Sequence, residues 1–393
     1  MAPVEQLPHL LRLLDDDTPA VRKAVVEHLE ALGDRLGPAL DSMPEPPAEG
    51  QLELIGQLLL PAKQRRLEEK WEAWLRSEGN PRRLEKAMEL LSDFLGSPLR
   101  RRRLGEALDR LAAEYRLNEP QPEVRSLVSF LFLAKGLRGA QVDYYRPENS
   151  DLLQVLERRQ GLPISLVILL LLVARRLDLK VEGCNFPGHF LARFQEGKEL
   201  VLIDCFHEGR FLDLQELTQL YPKSSQTIRT IARLATPTEA IVARVLRNLI
   251  RAFQQVGQAE SQGAFLESLL RKLEGHQRRW ERNHQKAQWQ AIHPLFWPGS
   301  LVRLAESDRR GVVVDLDPEF KGPRPGRDAA VTTSKQPWYH VLIDDGTTIQ
   351  YLPEESWQAD SLRTPIRHPL IPYFFSGFEG GRYQRNGLAW PRD

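Results

Sequence analysis

Cysteine is nearly absent, with two in 393 residues. Two cysteines cannot build a disulfide framework or a cysteine-based structural zinc site, so a reducing compartment is expected. Long apolar runs are missing as well. The longest, Leu166 to Ala174 with Ile164 and Ser165 before it, ends at Arg175 and Arg176. It is about half of the ~20 residues that a membrane span needs, and a fully buried helix explains it better. The N-terminus, MAPVEQLPHLLRLLDDD, has neither the basic start nor the apolar core of a signal peptide. No membrane association and a cytoplasmic location are therefore expected. Net charge is small: 54 Lys and Arg against 53 Asp and Glu leave +1. That balance excludes a globally basic nucleic-acid binder, though not a local basic patch. The nine histidines are scattered, with no His-x-x-Glu-His or similar pair. Neither a metal nor another cofactor is expected.

The length calls for two or three domains. Apolar residues at 41% and charged residues at 27% suit folded domains rather than disorder. Residues 7–33 read as two short helices around DDDTP, with the aspartates capping the second, Pro19 near its first turn and Gly33 at its end. Asp17, Val21 and Arg22 give this unit a HEAT-type look. One such unit cannot bury its apolar face alone and must pack on a neighbour; a plain helical hairpin is the equal alternative. Residues 41–50 are a Pro-rich break, and 51–135 read as helix almost throughout. Residues 61–140 carry 17 basic and 12 acidic residues, with the densest cluster at Arg100 to Arg103. A solvated helix face is the simpler explanation of that charge, and docking of an acidic partner the sharper one.

In residues 151–235 a helix leads through Gly161-Leu162-Pro163 into the buried helix. Two strand-type runs follow, KVEGCNFPGHFLARF and ELVLIDCFHEGRFL, joined at Gly197 as a hairpin. His189 is expected on the first strand and Asp204 on the next. Cys184 is expected on the same strand as His189, pointing away from it as a buried small apolar residue. Residues 237–290 return to helix. From about residue 293, short β-type runs separated by turns indicate a small antiparallel barrel.

The order helix start, histidine, aspartate fits thiol acyl-transfer chemistry. A nucleophile in the first turn of a helix gains from the dipole, a histidine takes its proton, and a carboxylate orients the histidine. The stretch GLRGAQVDYYRPENSDLLQVLERRQGLPISL, with GCNFPGHFLARF and LIDCFHEG, resembles the SirB-type branch of the transglutaminase-like family over residues 80–275. The motifs that carry the resemblance are Asp143-Tyr144-Tyr145, Asn149-Ser150, Arg159, Pro163 and Pro187-Gly188-His189-Phe190. It implies a papain-like α+β core with a Cys-His-Asp triad. His189 and Asp204 match; the cysteine position falls at or next to Ser165, and no cysteine lies there. Cys205 also stands where the family has proline. Three readings are open for Ser165, His189 and Asp204: a silent binding module, a serine nucleophile, or an activity of another kind. His189 has a structural alternative, holding the hairpin through Asp204, and His207 is a minor candidate beside Asp204.

The run WPGSLVRLAESDRRGVVVDLDPEF with QPWYHVLIDDGTTIQYLPEESW resembles the YccV/HspQ-like family over residues 293–380. That family is named for binding hemimethylated DNA, and relatives are linked to regulated proteolysis. Yet residues 293–393 hold 12 basic and 13 acidic residues, a poor balance for phosphate binding. The candidate contacts are Arg303, Arg309 and Arg310 in the barrel, with Arg324, Arg327 and Lys335 in its loop. Arg278 and Arg279 lie just upstream, and Trp338, Tyr339 and Tyr351 would stack on bases. The aromatic tail HPLIPYFFSGFEGGRYQRNGLAWP is expected to pack along the barrel.

The expected fold is multidomain and mainly α. Residues 1–60 form a HEAT-like helical segment and 61–290 a transglutaminase-like α+β domain with helical flanks. Residues 291–393 form a small antiparallel β-barrel. The favoured function is a non-catalytic adaptor or regulator with a protein or peptide partner. DNA binding through the barrel, and a hydrolase or acyl transferase using Ser165, are the alternatives.

Overall fold

The computed structural model describes residues 4–97, 103–186, 189–220, 225–257, 259–289, 294–321, 336–386 and 390. Within these, the side chains at 5, 34, 216–217, 220, 225–226, 259–260, 278 and 280–289 lie outside the description. Two compact units are present. One comprises residues 1–179 with 244–269, and the other residues 180–243 with 270–393.

The first unit is helical. Helices α1 (Leu7–Arg12), α2 (Pro19–Leu32) and α3 (Leu36–Asp41) come first. Before α2, the Asp16 carboxylate accepts from the Thr18 amide at 2.8 Å, and hydrogen bonding by the Thr18 side chain and then by this amide holds its carboxyl below the usual range. Gly33 ends α2 at φ 51°, a conformation that favours glycine. Helix α4 (Glu49–Leu75) begins inside the Pro-rich break and runs on through Pro61. Its Ile55 and Leu59 complete a core with Leu7, Leu11, Val25, Leu29, Leu36 and Leu40. The N-terminal helices thus bury their apolar face on α4, as a lone repeat must.

Helices α5 (Arg83–Leu95), α6 (Leu104–Asn118), α7 (Val124–Val128) and α8 (Leu152–Arg158) follow. Two very short strands, β1 (Arg138–Gly139) and β2 (Gln160–Gly161), pair in parallel beside α8. Helix α9 (Pro163–Arg176) is the apolar run. Every residue from Pro163 to Leu170 and from Leu172 to Ala174 is buried. A helix apolar all round can be stable only when covered on all sides. At its far end Arg176 binds Glu85 of α5 at 2.8 Å and Asp109 of α6 at 2.6 Å.

The second unit opens with a four-stranded antiparallel sheet of β3 (Glu182–Cys184), β4 (Leu191–Glu196), β5 (Glu199–Asp204) and β6 (Arg210–Asp213), in that order. The β4–β5 hairpin turns at Gly197, as expected. The run KVEGCNFPGHFLARF, however, is two strands rather than one. Cys184 ends β3 and pairs with Leu191 of β4. His189 therefore sits in the reversal between β3 and β4, not on a strand with Cys184. Helices α10 (Leu214–Leu220), α11 (Ser225–Arg233), α12 (Thr238–Gln255) and α13 (Ala264–Trp289) then follow in the chain.

A second sheet is built from β7 (Leu301–Leu304), β8 (Arg310–Asp317), β9 (Trp338–Ile343), β10 (Ile349–Pro353) and β11 (Trp357–Ala359). Its order is β10-β9-β8-β7-β11 and all pairs are antiparallel. Among the described residues β10 and β11 do not pair, so no closed barrel is formed. Gly311 admits this packing: a Cβ there would lie 2.5 Å from Val341. Alternation divides β8 between two cores. Val313 and Leu316 join Tyr339, Val341 and Trp357 on one side. Val312 and Val314 join Leu342, Cys184, Leu191 and Leu202 on the other. The two sheets of this unit thus share an apolar core. The tail, with the short helix α14 (Ile371–Phe374) and the hairpin β12 (Phe375–Glu379) and β13 (Arg382–Arg385), buries Tyr373, Phe374, Phe375 and Tyr383 in it. Among the described residues, no helix is long and apolar enough to cross a membrane.

Candidate functional site

Ser165 lies in the first turn of α9, where a nucleophile would sit. It is fully buried, and its hydroxyl donates to the Asn149 carbonyl at 2.8 Å. The same carbonyl accepts the Leu162 amide at 3.2 Å. The Asn149 side chain in turn donates to the carbonyls of Asp143 and Tyr144 at 2.9 and 3.0 Å. Asn149 thus ties the Asp143-Tyr144-Tyr145 loop to the start of α9. Gly161 is required by close approach, since a Cβ there would lie 2.8 Å from Val155. Several of the motif residues in this segment are explained as a brace around the helix start.

Asp204 ends β5 and is 8% exposed. Its Oδ1 accepts the amides of Phe206 and His207 at 3.1 and 3.3 Å. Its Oδ2 accepts from His207 Nδ1 at 2.7 Å; an ionised carboxylate has no proton to give, so the imidazole donates. The turn that brings His207 back is closed by Gly209 N donating to the Asp204 carbonyl at 3.0 Å and by the Asp204–Arg210 strand pair. Glu208 and Gly209 both take positive φ, 56° and 74°. His189 approaches from the β3–β4 reversal. Its ring centroid lies 5.7 Å from that of His207. Its Nδ1 is shielded from water and has no hydrogen-bond partner among the described residues. Leaving such a nitrogen unsatisfied costs about 1–3 kcal/mol. One ligand atom from each of His189, Asp204 and His207 lies within 4.8 Å of the others. Sequence spacing ranked His207 as minor, because its approach depends on a tight turn rather than on a helical or strand repeat.

Neither cysteine offers a thiolate. Burial pushes the Cys184 thiol up to about 12, against the pull of Arg193. Burial first, and then the neighbouring Asp204, push the Cys205 thiol well above its usual range. Both are free thiols.

Three of the arginines expected to contact DNA pair with aspartates. Arg303 pairs with Asp308 at 2.6 Å and with Asp360 at 3.5 Å. Arg309 pairs with Asp345 at 3.4 Å. Arg310 pairs with Asp360 at 2.6 Å and with Asp344 at 3.4 Å. Trp338 and Tyr339 are buried. The Tyr339 hydroxyl donates to Glu354, and Tyr351 donates to Asp317 at 3.1 Å. Burial would raise the Asp317 carboxyl, but hydrogen bonds from His340 and Tyr351 and the charge of Lys321 hold it below its usual range. Arg279 is exposed on α13. The side chain of Arg278, and residues Arg100 to Arg102, Arg324, Arg327 and Lys335, lie outside the described residues.

Family models place a transglutaminase-like domain followed by a YccV-like domain in this chain. The model for the transglutaminase-like superfamily matches residues 102–247, that for the hemimethylated DNA-binding protein YccV like matches 295–382, and that for the HEAT repeat matches 7–36. Among relatives, F-box only protein 21 of Mus musculus is 31% identical over 70% of this chain and 56% of its own length. The Homo sapiens protein of that name is 31% identical over 65% of this chain and 53% of its own. A UPF0162 protein of Xylella fastidiosa is 40% identical over 30% of this chain and 45% of its own. The chain spans about half the length of the relatives it matches. No solved structure matches it.

Proposed function

We propose that this chain is a non-catalytic regulatory binding protein that recognises a protein or peptide partner. The observation that carries this reading is Ser165, buried at the nucleophile position with its hydroxyl given to the Asn149 carbonyl. A serine nucleophile needs an exposed hydroxyl facing a base and an oxyanion hole. Two further features support the reading. Asp204 Oδ2 accepts from His207, and both thiols are buried and held protonated. The HEAT-type helices add a protein-binding scaffold to the same chain.

A serine-directed fluorophosphonate probe, applied to the wild type and to Ser165→Ala, tests it. Equal, background labelling of both is expected. Labelling lost in Ser165→Ala would establish the hydrolase or acyl-transferase alternative through Ser165, His189 and Asp204. DNA binding is a second reading, favoured by the YccV-like match over residues 295–382. Against it, Arg303, Arg309 and Arg310 already face aspartates, which reduces the charge they offer to phosphate.

A further inference from the structure

We infer that His189, Asp204 and His207 form a binding site for one divalent transition-metal ion of the zinc class. This does not rest on the non-catalytic reading, and either can fail alone. Each of the three residues presents a ligand atom, and these atoms lie within 4.8 Å of one another. Zinc bound at about 2.0–2.2 Å by imidazole and carboxylate would draw such a set together through small side-chain rotations. Two imidazoles and one carboxylate suit zinc, cobalt or nickel, whereas calcium and magnesium want oxygen donors.

The surroundings favour a built site over a chance cluster. Asp204 Oδ1 is fixed by two backbone amides, from Phe206 and His207. That leaves Oδ2 facing His207 Nδ1 at 2.7 Å, where an ion would take the place of the shared proton, and the two amides steady it as outer hydrogen bonds steady a ligating carboxylate. His189 holds a water-shielded Nδ1 with no hydrogen-bond partner among the described residues, in a neighbourhood that contains a buried carboxylate. The donors come from the β3–β4 connection, the end of β5 and the β5–β6 connection, so the site exists only in the folded chain. Three protein ligands leave a coordination position for water or a ligand group from a partner. The partial exposure of His189 and the open edge of His207 give an ion access.

The test uses the full chain, stripped with a chelator and titrated with zinc ion alone against a chromogenic competitor. One ion per chain is expected, bound at micromolar or tighter affinity. His207→Gln and His189→Gln should each weaken binding by about tenfold or more. The His207 side chain is 55% exposed, so His207→Gln leaves the core intact, and matching melts of the metal-free proteins check this. Should His189→Gln fold poorly, His207→Gln alone decides. Cobalt(II) should give the intense visible absorption of a low-coordinate site in the wild type and lose it in His207→Gln. No binding by the wild type would overturn the inference. Binding equal in His207→Gln would also overturn it, by placing the ion on other histidines.

Discussion

At the scale of single residues, His368 shows how burial sets a titration. It is 6% exposed, and its Nδ1 accepts the Leu370 amide at 3.1 Å. Burial lowers its pKa to about 4, against the opposing charge of Asp345. In the unfolded chain it takes up a proton below about 6.5, but in the folded chain only below about 4. The unfolded state therefore binds more protons between those values. Stability contributed by His368 is complete above about 6.5 and falls as pH drops toward 4, by at most about 3 kcal/mol. Urea unfolding at pH 4.5 and 7 should show a smaller pH-dependent loss in His368→Gln than in the wild type.

The candidate site was only partly legible at this scale. His189 and Asp204 stand out by motif, and the missing cysteine by its absence. That Asp204 serves His207 rather than remaining free for His189 depends on the turn closed by Gly209. That Ser165 spends its hydroxyl on Asn149 depends on a loop sixteen residues away in the chain. Residue type does not reveal either partner.

At the scale of elements, α9 was legible because an uninterrupted apolar run of that length has no solvent-facing side. The split of KVEGCNFPGHFLARF into β3 and β4 was not, because apolar residues line both arms and blur the break. The anchor of α9 also came only with the structure. Arg176 reaches Glu85 and Asp109 on two other helices, and the Glu85 side chain is 8% exposed. Arg176→Leu leaves that carboxylate buried beside an apolar group and should destabilise the chain by about 3–5 kcal/mol. Adding Glu85→Leu should recover most of the loss, since two apolar groups then replace the pair. Denaturant unfolding of the two single variants and the double variant measures this. Independent, additive losses would show that the two side chains do not act as a pair.

At the scale of the whole molecule, the +1 net charge hides local pairing. In the YccV-like domain Arg303, Arg309 and Arg310, chosen from sequence as DNA contacts, face Asp308, Asp344, Asp345 and Asp360. Sequence composition gave the near-neutral balance of this domain, but not which charges neutralise which. Fluorescence anisotropy with hemimethylated and unmodified duplexes should show weak binding, a shallow salt dependence and no preference between them. Tight binding specific to the hemimethylated duplex would establish the DNA reading.

In the proposed reading, the position of the missing nucleophile is part of the core and faces no substrate. Ser165→Cys tests it most directly, with alkylation by iodoacetamide at neutral pH followed by mass spectrometry on the folded chain. Position 165 should stay as unreactive as the buried Cys184 and Cys205 until denaturant is added, when all three react. Rapid alkylation at position 165 in the folded chain, with Cys184 and Cys205 still protected, would contradict it.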